Sequence, residues 1–249
     1  MTASLSILWR SLPLILLAAA WEIAARSGLV SQYLLPPFSD VMATLASMAS
    51  GDLYYHLMRS TWRGGLAFAG AVVFGVAAGV MIAWYLPVRI VLNPILRCLY
   101  PMPKVALIPL IIIWLGIGDA SKIALIFIGC LVPIVMSAYN GARGVDHTLL
   151  WTARSMGATE GQVLREVVVP AALPDILSGI RIALALAFIL MVAAELVISN
   201  DGIGYLIDVL GESGDYSGMF AGVVAISAVG FAADRACVAL SRRLLAWRE

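Results

Sequence analysis

A lysine can hold a nucleotide's phosphates where a glycine-rich loop sets backbone amides beside it, as in G-x-x-x-x-G-K-[ST]. This chain has only Lys104, preceded by Pro103, and Lys122, preceded by Ser121, so neither serves that chemistry. His56 and His147 are isolated, with no ligand cluster around them for a metal. Cys98, Cys130 and Cys237 have no paired spacing and fall in or near apolar segments, where a thiol is a small buried hydrophobe. No serine, cysteine or carboxylate set has a recognisable catalytic spacing. The residues therefore predict a protein that is no enzyme, binds no cofactor and has no nucleic-acid partner.

The most organised spacing lies between Asp146 and Pro170. Leu149, Leu150, Ala153 and Met156 fall on one face of a short helix, for which Asp146 is the N-cap. Gly157 ends that helix, because glycine takes the left-handed conformation common just past a helix end. Thr159 and Gln162 have capping-box spacing for a second helix, with Val163, Leu164, Val167 and Val168 as its apolar face. Pro170 and Pro174 are expected to break that helix and start the next element. The result is a helix–turn–helix knuckle. It either lies as an amphipathic pair on a bilayer surface or docks on another protein.

What must position this knuckle is a set of membrane spans. Hydrophobic residues make up 62% of the chain and charged residues 12%, against about 45–50% and 25% in soluble domains. That excess is too large for one soluble core. An all-α polytopic membrane protein of about six transmembrane helices is expected, as a single domain over 1–249. The spans fall near Leu8–Ala25, Thr61–Tyr85, Val105–Ile117, Ile123–Tyr139, Ile176–Ile198 and Met219–Leu240. Pro101, Pro103 and Pro109 flank or interrupt the third. Lipid tolerates the freed carbonyls only where protein covers them, which puts this span inside the bundle. The first span has no small-residue cleavage site after it, since Glu22-Ile23-Ala24 does not make one, and reads as a retained helix.

Charge orients the chain. With the amino terminus inside, only Arg26, Arg59, Arg63 and Lys122 of the 16 lysines and arginines fall outside. The segment carrying Asp201, Asp208, Glu212 and Asp215 has no basic residue and is also outside. Both termini and the 146–170 knuckle are then cytoplasmic.

Within the spans, Gly75 and Gly79 permit close helix approach, as packing inside the subunit or as a sliding surface. Glu195, about one turn from the outer end of the fifth span, either lines an outer gate or pairs with a base such as Arg63. Asp234 and Arg235 are adjacent, point to different sides of their helix and are not expected to pair. Glu22 is expected to snorkel to the outer surface.

The spacing from Trp151 to Pro170 resembles the cytoplasmic "EAA" signature of ABC importer permeases: E-A-A, three residues, Gly, nine residues, I-x-L-P. Ala153, Gly157 and Pro170 match, Val167 and Val169 are conservative replacements, and Trp151 stands where the pattern has its acid. The resemblance covers about residues 30–210. Leu35-Pro36-Pro37-Phe38-Ser39-Asp40-Val41 is similar to the periplasmic segment of the nitrate, sulfonate, taurine and bicarbonate group. Pro101-Met102-Pro103-Lys104, Ile108-Pro109-Leu110 and Trp114-Leu115-Gly116-Ile117-Gly118 are similar to that group's third span, and Glu195 with Gly202-Ile203-Gly204 to the end of its fifth.

The resemblance implies a permease subunit of the bacterial inner membrane that forms a translocation pathway for a small solute of the sulfonate, nitrate or taurine class. It implies a second copy of the chain, two ABC ATPase subunits that use ATP and magnesium, and a solute-binding protein outside. Trp151, Ala153, Arg154, Met156, Gly157, Ala158, Thr159 and Pro170 would couple to the ATPase. Pro109, Trp114, Met191 and Glu195 would line the pathway. The alternative is a stand-alone secondary transporter or channel. Such proteins couple through intramembrane charges or inverted repeats, and the second half of this chain does not repeat the first.

Overall fold

In a computed structural model, which describes residues 3–28, 30–197 and 199–248, the chain is helical, with no strand among the described residues. Ile198, the expected end of the fifth span, lies outside them, as does Glu249. The helices are α1 (Ala3–Arg26), α2 (Phe38–Met48), α3 (Asp52–Trp84), α4 (Leu86–Leu99), α5 (Ile108–Leu115), α6 (Asp119–Arg143), α7 (His147–Ser155), α8 (Glu160–Gln162), α9 (Val169–Val197), α10 (Ile203–Glu212) and α11 (Tyr216–Leu244).

Four helical stretches among the described residues are long and apolar enough to cross a bilayer: α3, α6, Glu160–Val197 and α11. The α4–α5 pair adds a fifth if its two limbs, bent by 96°, count as one span. The third span expected from sequence, 105–117, corresponds to the second limb alone, and the bend lies before it. Its straight part, α5, has only eight residues, about 12 Å at ~1.5 Å per residue. Pro101 and Pro103 lie in the bend, whereas Pro109 sits at the start of α5, where a missing N–H costs nothing. Pro109 starts this helix rather than interrupting it.

The core is the packing of α3, α6 and α9. Small residues set its closeness. A Cβ on Gly79 would lie 2.6 Å from Ala138 Cβ, and one on Gly75 would lie 2.8 Å from Ile134 Cγ2. The Gly75/Gly79 face is thus used inside the protomer, against α6.

Cross-helix polar contacts tie the periphery to this core. Glu22, expected to snorkel, instead caps α2: it accepts from the Ser39 backbone N–H at 3.0 Å and pairs with Arg26 at 2.6 Å. Trp21 donates to the Pro36 carbonyl at 3.0 Å and packs on Phe38 and Phe220. Arg89 donates to the last carbonyls of α3, those of Ile82 and Ala83, and Lys104 Nζ to those of Leu99 and Tyr100 after α4. Asp234 pairs with Arg181 at 2.6 Å and also with its neighbour Arg235 at 2.7 Å. The latter contact corrects the sequence expectation. Adjacent Cβ atoms diverge, but a long arginine folds back along the helix surface.

Candidate functional site

Two constellations, at different parts of the fold, stand out. The first is the knuckle. Asp146 caps α7 by accepting from the Thr148 N–H at 2.8 Å, and that backbone bond holds its carboxyl below the usual carboxylate range. Gly157 has φ +86° with nothing within 4 Å of a hypothetical Cβ, so its role is conformational freedom rather than packing. Thr159 and Gln162 form the capping box reciprocally. Arg154 clamps the turn through a bidentate pair with Glu160 at 2.8 and 3.0 Å.

The apolar face expected on α7 divides. Leu150 and Ala153, with Ala158 after the turn, pack on Val145, Val163 and Val168. Leu149, Trp151 and Met156 point away, Trp151 69% and Met156 82% exposed. The division follows from the 3.6-residue repeat: one stripe contacts the bundle and its neighbours project past it. The knuckle thus presents Leu149, Trp151 and Met156 outward on an element capped at both short helices.

Pro170 does not break the chain's second helix. Helical geometry runs from Glu160 to Val197, and residues Val163–Val168 form a π-helical stretch just before Pro170, at the second position of α9. The wider turn shifts the hydrogen-bond register where proline cannot donate. The second helix of the knuckle and the span are therefore one continuous helix, where the proline spacing predicts a break.

The second constellation closes one end of the core. Arg63, only 1% exposed, donates from Nε to Asp119 at 2.6 Å and from Nη1 to Glu195 at 3.1 Å and the Asp201 carbonyl at 3.2 Å; it also pairs with the Asp201 carboxylate. Arg59 bridges Asp201 at 2.9 Å and Asp119 at 3.0 Å. Glu195, also 1% exposed, accepts from the Ser60 hydroxyl at 2.6 Å and the Gly204 N–H at 3.0 Å. Ser60 in turn accepts from the Ile203 N–H at 2.7 Å, and His56 Nδ1 from the Gly202 N–H at 3.0 Å.

Gly202 and Gly204 let this backbone approach. Gly202 has φ +109° and its Cβ would overlap the Glu195 carboxylate, while a Cβ on Gly204 would lie 2.7 Å from the Val192 carbonyl. Of the two roles open for Glu195, the structure contains the ion pair with Arg63.

The four pathway candidates do not form one surface. Pro109 and Trp114, the latter 70% exposed, lie on α5. Met191 and Glu195 are buried inside the protomer, and a Cβ on Gly64 would lie 3.0 Å from Met191 Sδ. Glu195 thus faces protein, because α3 packs over that side of α9, whereas Met191 also borders a small apolar cavity of about 140 Å³ shared with Phe68, Leu184 and Phe188. Sequence reasoning missed Arg59, Asp119 and Asp201 as partners. The available signal was a set of charges just outside or within apolar segments, which lipid forbids unless they meet.

A family profile described as "Binding-protein-dependent transport system inner membrane component" matches residues 71–246. The taurine transport system permease protein TauC of Escherichia coli K12 is 36% identical, over 94% of this chain and 87% of that protein. The putative aliphatic sulfonates transport permease protein SsuC of Bacillus subtilis 168 is 35% identical, over 96% and 86%. The formylaminopyrimidine transport permease protein ThiX of Halalkalibacterium halodurans is 30% identical, over 94% of each. Among solved structures, the methionine ABC transporter MetNI in an inward-facing conformation superimposes with a TM-score of 0.63 at 20% identity, over 75% of this chain and 93% of that one. That likeness is one of fold.

Proposed function

The chain belongs to the binding-protein-dependent transport system inner membrane components and is a multi-pass permease of an ABC importer; from that premise we propose that it carries a small sulfonate-class solute and that its knuckle docks on an ATPase. The observation that carries the docking role is the exposed trio Leu149, Trp151 and Met156 on a turn fixed by two caps and the Arg154–Glu160 clamp.

Two copies of the chain pair, each with one ATPase that binds ATP and magnesium, and a solute-binding protein delivers substrate from outside. Six spans leave both termini and the knuckle cytoplasmic, with α1 as the first span and α4–α5 as the bent third. ATP-driven closure of the ATPases draws the knuckles together. The continuous helix from Glu160 to Val197 transmits that displacement into the core, turning the bundle between two accessible states. Ala153, Ala158, Gly157, Thr159 and Pro170 fix the lever's shape, while Pro109 and Trp114 on the exposed face of α5 line the route. The sulfonate assignment is supported by the taurine and sulfonate relatives.

The docking test is co-purification of the ATP-hydrolysing subunit with the permease from native membranes. Trp151→Ala should weaken that association, and Trp151→Glu should retain it by restoring the family's acid. Undiminished ATPase binding in Trp151→Ala would remove Trp151 from the dock. Substrate class is read separately, by uptake of taurine and short alkanesulfonates in cells with and without the chain. Loss of neither uptake on deletion would refute the sulfonate assignment.

A further inference from the structure

Among the charges that close the outer end of the core, one is left without a hydrogen-bonding partner. Lys122, in the first turn of α6, is only 5% exposed. Its nearest carboxylate oxygen is Asp201 Oδ1 at 4.0 Å, an electrostatic neighbour beyond hydrogen-bond reach. The other members satisfy one another: Asp119 and Asp201 each accept from both Arg59 and Arg63, and Glu195 accepts from Arg63, Ser60 and Gly204. An ammonium carries three donors and no acceptor, and a buried one demands oxygen ligands.

Lys122 borders a cavity of about 300 Å³ lined also by Arg59, Gly118, Asp119, Asn200 and Asp201. That volume lies at the lower end of ligand sites, about 300–1,000 Å³. The start of the 25-residue helix α6 borders the same cavity at Gly118 and Asp119, with no side-chain cap on its first amides. Those amides favour an anion.

We propose that Lys122 is the anchor of an oxyanion-binding subsite in this cavity, which takes the sulfonate headgroup of the solute before it enters the bundle. A sulfonate oxygen accepts a charge-assisted hydrogen bond from one of the diverging N–H donors of Lys122, and the part-exposed Arg59 borders the same cavity to meet a second oxygen. The surrounding two arginines and three carboxylates need the charge of Lys122 for balance, yet none of them takes a hydrogen bond from it, so its N–H donors are open to a ligand. The assignment of sulfonate rather than another oxyanion rests on the substrate reading above.

The test uses the full chain in lipid nanodiscs, with thermal unfolding followed against methanesulfonate at constant ionic strength. Dimethyl sulfone is the uncharged control, and nitrate and phosphate are parallel probes. Methanesulfonate should raise the melting temperature saturably and dimethyl sulfone should not. Lys122→Met should weaken the apparent affinity about tenfold or more, the loss expected for a charge-assisted hydrogen bond, and Lys122→Arg should restore part of it. The melting temperature without ligand reports whether Lys122→Met is folded, and Lys122→Gln carries the test if it is not.

An unchanged midpoint in the folded Lys122→Met or Lys122→Gln variant, or no saturable shift with any oxyanion, overturns the subsite. Lys122-dependent binding of nitrate or phosphate but not methanesulfonate supports the subsite and overturns the sulfonate class. Sulfonate uptake in cells without any Lys122-dependent binding overturns the subsite and leaves the transport reading intact.

Discussion

Glu195 illustrates what one residue does when lipid surrounds the fold. Its carboxylate joins α9 to α3 through Ser60 and Arg63 and holds the α9–α10 turn through the Gly204 N–H. In Glu195→Gln, Arg63 keeps Asp119 and Asp201, so no arginine is left bare. The amide still loses one acceptor, and its NH₂ would face a donor. The expected loss is about 1–3 kcal/mol, the cost of unsatisfied buried donors, read as a lower melting temperature of the purified chain. Equal melting of variant and wild type would show that the contacts carry no net stability. Lys122 belongs to the same scale but to a different role, since it has no structural hydrogen bond to lose.

At the scale of elements, two glycines make opposite predictions from the same residue type. Gly79 lies where α3 meets α6, and a Cβ there would lie 2.6 Å from the Val135 carbonyl and from Ala138 Cβ. Gly79→Ile should separate the helices and cost about 1–3 kcal/mol or more by overpacking. Gly65 on the same helix has nothing within 4 Å of its Cβ position, so Gly65→Ala should melt at or above wild type through better helix propensity. Equal effects of the two would exclude packing as the cause.

Gly157 is constrained by backbone alone. A β-branched residue at φ +86° is strained by about 1 kcal/mol or more. Gly157→Val should therefore tilt α7 against α8 while α3, α6 and α9 remain packed. The expected result is normal insertion and melting with reduced ATPase co-purification and reduced substrate-stimulated hydrolysis in reconstituted vesicles. Full coupling in this variant would count against the knuckle as the docking element.

For the whole molecule, the prediction is topological. Residues near Gly144 join the core to the knuckle, and Ser213 lies between α10 and α11. A reporter inserted near Gly144 should read cytoplasm, and one near Ser213 the outside, following the 12 basic residues assigned inward against Arg26, Arg59, Arg63 and Lys122. A cytoplasmic signal at Ser213 would undo the orientation. The bent α4–α5 pair bears on the same proposal. With α1 counted as a span beside the four long apolar helices, the six crossings that put both termini on one side require the pair to traverse the bilayer as one unit.

Local signals were legible without any fold. Apolar runs gave α3, α6, α9 and α11; Asp146, Gly157, Thr159 and Gln162 gave the caps of the knuckle, since a cap involves only residues within three or four positions. The small amphipathic helices α2, α4 and α10 escaped notice because no long apolar run marks them. Tertiary structure alone decided the rest. Arg63 and Glu195 are 132 residues apart, and sequence offered two roles for the acid until helix packing brought the partner within 3.1 Å. It also decided that Pro170 follows a π-helical turn inside a continuous helix, and that Leu149 and Met156 face outward while Leu150 faces in. The physical reason is the same in each case. Periodicity and capping are energies among chain neighbours, whereas the choice of partner, exposed face and hydrogen-bond register depends on which distant helix fills the adjoining space.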